Sequence, residues 1–284
     1  MDLIFAAGVN AIVAVACGWL GWRVGDRFRG AKSRPLALLA ALLWLLVAVY
    51  LLRDRLFWAR LLPLPCVLTL TDPVPSAAVF LATLVASLLS GSTGHRGRFA
   101  FGLGLLGLCT GFSPDFGVTP RTAYVPHWQN GVCLQSSEVT CGPSSAATLL
   151  RTAGITSTEA EMVGLCHATR LGTSLLGIYR GLRVKTENSP WSVRVLTTSS
   201  RDEIFDAAKR HPVFISVFFR PVAGGRASYL NNLTEAKHAV VLLGVLPDGR
   251  VAIGDPLSGQ IIWTAEEFAA HWAGEGLQLV PRNE

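Results

Sequence analysis

Charge is scarce in this chain. Only 15 % of its 284 residues are Asp, Glu, Lys or Arg, and half are hydrophobic. That is too apolar for an ordinary soluble domain and implies membrane segments. Cysteine is sparse as well, and six residues over this length do not make a disulfide scaffold. Internal repeats, low-complexity tracts and the phosphate-binding pattern G-x4-GK[ST] are all missing. The net charge of +6 divides unevenly: +5 falls in residues 1–119 and +1 in residues 120–284. A nucleic-acid binder would carry a basic stripe on its globular part, so no nucleic-acid partner is expected. The excess lies between apolar runs instead, where positive-inside bias would put it.

Four apolar runs occupy the first 112 residues. Leu3–Trp22 is interrupted only by Asn10, and Pro35–Leu52 carries no charge. A third runs over 74–90, and a fourth, 99–112, is short and glycine-rich. The first three are long enough to cross the hydrocarbon as helices, and the fourth crosses only with its flanks or is re-entrant. The first run lacks a basic segment before it and is followed directly by another span, which argues against a cleaved signal peptide. Five basic residues in 23–34 place that loop in the cytoplasm and the N-terminus outside. Arg96 and Arg98 precede the fourth run as a cytoplasmic loop would require. Four spans put residues 113–284 outside the cytoplasm; three would put them inside. Cys17, Cys66 and Cys109 lie in or near these runs and read as small buried residues.

Residues 113–129 are rich in proline and turn formers and read as a linker. Residues 130–284 suffice for one domain with its own core. Helices are predicted over 141–152, 158–167, 174–182, 200–210 and 264–272, with capping-box spacing at Thr158/Glu161 and Ser200/Glu203. Strands are predicted over 191–196, 212–219, 238–246, 251–254, 260–263 and 277–280. Asp248-Gly249 is a hairpin signal between two of them. Helices first and strands afterwards indicate an α+β fold, with a helical layer packed on an antiparallel sheet.

Within GVCLQSSEVTCGPSSAATLL, Cys141 is followed by Gly142 and Pro143 at a predicted helix start. That position stabilises a thiolate through the helix dipole and free N–H groups. A nucleophile also needs a base. His238 opens the strand HAVVLLGV, and Asp255 closes the neighbouring strand in RVAIGDPLSG. The Asp248-Gly249 turn should pair these strands antiparallel and bring the two side chains together. Oxyanion donors would be the Cys141 N–H and the Gln135 amide, six residues upstream. Each residue alone has an ordinary explanation: a buried Cys, an edge His, an Asp-Pro turn, a loop Gln. Their joint order is more specific than any one of them.

These segments, with GTSLLGIYRGL and IGDPLSG, resemble the double-glycine-leader (bacteriocin-processing) cysteine peptidases, which have a papain-like fold. The resemblance covers about residues 130–284. It implies that Cys141 is the nucleophile, His238 the general base, Asp255 its orienting carboxylate and Gln135 part of the oxyanion hole. The implied activity is peptide hydrolysis through a thioester acyl-enzyme, without metal or cofactor. Known members are cytoplasmic domains fused to a six-span exporter and an ATPase. Here the spans are fewer and no room for an ATPase domain is expected, so any exporter would be a separate, unidentified chain. The expectation is a thiol peptidase anchored in a bacterial inner or plasma membrane, its domain facing outward. It would process leader or secreted peptides. The alternative is a non-catalytic peptide-binding domain of the same fold.

Cys133 and Cys166 remain. Outside the cytoplasm a disulfide between them would pin the Gln135 loop and leave Cys141 free. A Cys133–Cys141 bridge, a zinc site with Cys133, Cys141, Cys166 and His167, and two unrelated thiols are the alternatives. No C-x2-C or H-x3-H spacing supports zinc. The loop 220–236 is a candidate lid, and Trp191, Tyr229, Asn231 and Asn232 are candidate cleft residues.

Overall fold

The computed structural model describes residues 2–28, 54–89, 124–125, 127–198, 200–218 and 237–284, with isolated positions between 35 and 46. The fourth apolar run, most of the second, and the linker up to residue 123 lie outside the described residues, as do the candidate lid, Tyr229, Asn231 and Asn232. The chain forms two compact units. One comprises Met1–Trp58 with Cys66–Gly117, and the other Ala59–Pro65 with Val118–Glu284.

In the first unit, helix α1 (Asp2–Phe28) packs on helix α2 (Val74–Leu89). Gly18, Gly21 and Gly25 line the seam. A Cβ on Gly21 would strike the Phe80 carbonyl, and one on Gly25 would strike Ser87. Small residues at this spacing let two helix backbones approach closely. Asn10, the polar break in the first apolar run, is satisfied within the unit. Its Nδ2 donates to Thr69 O (2.9 Å) and Asp72 O (3.2 Å) at the bend before α2. Among the described residues, two helical stretches are long and apolar enough to cross a membrane, Leu3–Phe28 and Val67–Leu88.

The second unit is α+β. Its sheet has six strands in the order β3 (Trp191–Thr197), β8 (Trp272–Pro281), β4 (Val213–Phe218), β5 (Lys237–Val245), β6 (Val251–Asp255) and β7 (Gly259–Trp263), with every neighbouring pair antiparallel. Val213, Ile215 and Val217 of β4, Val240 and Leu242 of β5, and Val251 and Ile253 of β6 alternate along their strands. That two-residue period gathers them into one core with Ile204 and Phe205 of helix α6 (Arg201–Arg210) and Phe268 of helix α7 (Ala265–His271).

Three helices precede the sheet: α3 (Cys141–Thr152), α4 (Glu159–Leu165) and α5 (Leu175–Lys185). Thr158 and Ser200 cap α4 and α6 by accepting from Glu161 N and Glu203 N. The Glu161 carboxylate also accepts from Lys185 Nζ (2.9 Å) and Ser157 Oγ (3.0 Å). A complete capping box is present at Thr264 and Glu267, on α7.

Three features differ from the sequence expectation. A small hairpin, β1 (Trp128–Gln129) and β2 (Val132–Cys133), begins inside the stretch read as linker. It turns through Asn130 and Gly131, both at positive φ, which suits asparagine and glycine in a tight hairpin turn. Strand β8 spans ten residues rather than four. A bulge shifts the β5–β6 register between Leu242 and Gly244.

Candidate active site

Helix α3 is buried from Gly142 to Leu150. Its side chains there are mostly small, Ser144, Ser145, Ala146 and Ala147, so its backbone approaches β5 closely. Ser145 Oγ donates to Ala239 O on β5 at 2.9 Å. The N-cap residue Thr140 makes no side-chain cap. Its hydroxyl is engaged with Ser137, donating to Ser137 O (3.0 Å) and accepting from Ser137 N (3.1 Å). In this uncapped first turn the Gly142 N–H lies on the Cys141 sulfur, where it stabilises a thiolate.

His238 and Asp255 meet. His238 Nε2 lies 2.8 Å from Asp255 Oδ1. The register explains the meeting: Val241 pairs with Gly254, so Asp255 falls opposite Val240. His238, two residues from Val240, is on the same face and diagonal to Asp255. The carboxylate accepts, so Nε2 carries the proton and Nδ1 is left for the thiol. Cys141 and His238 share a side-chain hydrogen bond.

Asp255 is itself fixed. Leu257 N donates to its Oδ1 (2.9 Å) and Ser258 Oγ to its Oδ2 (2.8 Å). Burial disfavours the Asp255 charge, but the His238 hydrogen bond and the Leu257 and Ser258 donors outweigh it and hold its pKa below the ordinary carboxylate value.

The other two pKa shifts have the same structure. Burial pushes the Cys141 thiol upward, yet the hydrogen bond and charge of His238, with the Ala239 and Gly142 N–H groups, bring it below the ordinary thiol value. Burial pulls the His238 imidazolium downward, yet its bonds to Asp255 and Cys141 raise it to about 9. Both shifts favour thiolate and imidazolium over the neutral pair.

Gln135 sits at the edge of the same site. Its backbone N–H donates to Pro256 O (2.9 Å), tying its loop to the residue after Asp255. One N–H of its side-chain amide goes to Ser137 O (2.7 Å). An amide nitrogen carries two hydrogens, so one remains for a ligand. Beside this loop lies a cavity of about 370 Å³ lined by Val125, His127, Leu134, Gln135, Ser136, Pro256 and Leu257.

The expected Cys133–Cys166 disulfide is not formed, and both residues are free thiols. Packing separates them. Cys133 is buried against Ser144 and the Leu134 carbonyl. Cys166 fills the notch left by Gly181 of α5, where a Cβ would collide with its sulfur. Burial, then the Glu159 charge, pushes the Cys133 thiol up to about 11, and burial also raises Cys166. Trp191, a candidate cleft residue, packs edge-on to His211 with ring centroids 5.6 Å apart.

Sequence reading missed Ser145 and the Ala239 N–H. Ser145 lies one helical turn after Cys141, on the same face, and that spacing was the available signal.

The family profile described as the Peptidase_C39 like family matches residues 124–280, more than half of the chain. The chain belongs to this family. An uncharacterized protein of Methanothermobacter marburgensis is 27 % identical over 153 residues, covering 54 % of this chain and 89 % of that one. The peptidase domain of Streptococcus ComA, a bifunctional ABC transporter involved in a quorum-sensing pathway, is 21 % identical. It covers 55 % of this chain and 100 % of its own, with a TM-score of 0.42. A double-glycine-motif protease from an AMS/PCAT transporter, solved with its leader peptide, is 19 % identical. It covers 57 % of this chain and 96 % of its own, with a TM-score of 0.40.

Proposed function

We propose that this member of the Peptidase_C39-like family is a membrane-anchored cysteine peptidase that hydrolyses peptide bonds with Cys141, His238 and Asp255. The observation that carries the reading is the hydrogen-bonded series Cys141–His238–Asp255 at an uncapped helix start. Cys141 Sγ attacks the scissile carbonyl carbon, and the carbonyl π pair moves to oxygen. The Cys141 N–H and the Gln135 amide stabilise that oxyanion. The oxyanion collapses, the C–N bond breaks, and the His238 Nδ1 proton passes to the leaving amine, giving a thioester. Neutral His238 then takes a proton from water, whose oxygen attacks the thioester and releases acid and thiol. Asp255 holds the ring orientation and the imidazolium charge throughout.

The substrate class is a peptide or protein segment that reaches Cys141 in extended form, such as a leader or a secreted peptide. Anchoring rests on the two apolar helices, and the outward-facing domain on the charge pattern around the apolar runs.

The test compares N-termini of secreted and surface peptides from cells carrying wild type and Cys141→Ala. A set of N-termini present only with wild type is expected. Identical sets would overturn the hydrolase and leave the peptide-binding domain of the same fold.

A further inference from the structure

The loop carrying Gln135 is gripped from a helix. Ser136 N donates to Glu159 Oε1 at 2.7 Å, and Ser136 Oγ donates to Glu159 Oε2. Glu159 opens α4 and is only 3 % exposed. A carboxylate taken that far out of water is costly unless its oxygens are filled. Here the two oxygens accept from the backbone and the hydroxyl of one serine, both charge-assisted bonds of the stronger kind.

That grip has a geometric consequence for the neighbouring amide. Gln135 is held at its backbone by Pro256 O, and its side-chain amide is held by Ser137 O. Ser137 N is held in turn by Thr140 Oγ1, directly before Cys141. Ser136 is the residue between the two ends of the Gln135–Ser137 bond, so its position sets where the Gln135 amide points. Without the Glu159 grip, Ser136 is the one residue of the three whose N–H loses its anchor. Preorganised donors contribute to catalysis because they need not reorient as charge develops.

We infer that Glu159 is a positioning residue that fixes the Gln135–Ser137 loop and so preforms the side-chain half of the oxyanion hole. The inference rests on the peptidase reading. Glu159 touches no reacting atom, and its effect passes through Ser136 to Gln135.

The test uses two probes on the full-length protein in detergent. Iodoacetamide alkylates Cys141 by displacement at saturated carbon: the S–C bond forms, iodide leaves, and no oxyanion develops. N-acetylglycinal adds reversibly: the S–C bond forms and the carbonyl π pair moves to oxygen, which takes the His238 proton. Its oxygen therefore occupies the oxyanion position. The smallest peptide aldehyde is chosen so that the reacting centre dominates its binding. The reading is the aldehyde concentration that halves the rate of Cys141 alkylation.

Glu159→Ala should raise that concentration about 10-fold or more, while alkylation without aldehyde stays within about 2-fold. Glu159→Gln keeps one acceptor for Ser136 N and can donate to Ser136 Oγ, so it should restore most of the protection. Ser136→Ala, which keeps the N–H bond, should shift protection about 3-fold in the same direction and serves if Glu159→Ala does not fold. Unchanged aldehyde protection in Glu159→Ala and Ser136→Ala would overturn the inference. So would equal losses in both probes, which would mean general damage to the nucleophile. If wild-type Cys141 is alkylated no faster than Cys133, the peptidase reading fails instead, which is a separate result.

Discussion

Cys133 and Cys141 lie eight positions apart and occupy opposite electrostatic settings. Cys133 ends a two-residue strand, buried and facing the Glu159 charge, and its thiol is pushed up to about 11. Cys141 starts a helix, and burial works against its thiolate too. What separates them is the sign of the neighbouring charge. A carboxylate stands by one and an imidazolium by the other, so burial prevails at the Cys133 thiol and is outweighed at the Cys141 thiol. Proximity in sequence does not set these shifts; burial and the distant residues Glu159 and His238 do.

The strongest way to break this contrast is to remove the imidazolium. His238→Ala should slow iodoacetamide alkylation of Cys141 at neutral pH by about 10- to 100-fold, with lost thiolate partly offset by the greater nucleophilicity of a higher-pKa sulfur. Cys133 should be unaffected. A Cys141 rate that survives His238→Ala would mean that the helix start, not the base, makes the difference. The readout is site-resolved mass spectrometry of both cysteines in one sample.

A finer test is pH. The thiolate–imidazolium pair exists above the lowered Cys141 pKa and below the His238 value of about 9. Because the folded His238 pKa is raised, the stability it contributes is fully present below its ordinary value of about 6.5. That contribution is lost as pH rises through about 9. Asp255→Asn keeps an acceptor for Nε2 but removes its charge. It should move the alkylation midpoint of Cys141 upward by about 1 pH unit and leave that of Cys133 in place. An unmoved Cys141 midpoint would show that Asp255 orients the ring without sustaining its charge.

The smallest expected effect belongs to Ser145→Ala. It deletes the bond from α3 to the Ala239 carbonyl while leaving both charges. Cys141 alkylation should fall only about 2- to 5-fold, as slight misplacement of a reacting pair predicts. A loss as large as that of His238→Ala would mean that the helix–strand tie, rather than the ion pair, carries the contrast.

The sequence made some of this legible. Local signals sufficed for Cys-Gly-Pro at a helix start and for the Asp248-Gly249 turn, the latter placing His238 beside Asp255. The Asp255-Pro256-Leu257-Ser258 turn is similarly local, because an aspartate readily bonds the backbone two residues on. Long-range hydrogen bonds were not legible. The spacing of Ser145 from Cys141 gives its face of the helix but not its partner, and nothing in the spelling of Glu159 announces one on another element. The bulge after Leu242 escaped because a continuous apolar strand gives no sign of an extra residue. The Cys133–Cys166 expectation was reasoned from compartment, whereas packing against Ser144 and Gly181 decides where each sulfur lies.

Strand order carries a consequence for how the protein is made. Of all the strands described, β8 comes last in sequence, yet it lies between β3 and β4 in the sheet. Cys141 leaves the ribosome long before His238 and Asp255, and the sheet that holds those two closes only when β8 slots into its interior. Such late, non-local pairing is slow. The growing chain therefore carries Cys141 well before the strands that bear His238 and Asp255 take their places in the complete sheet.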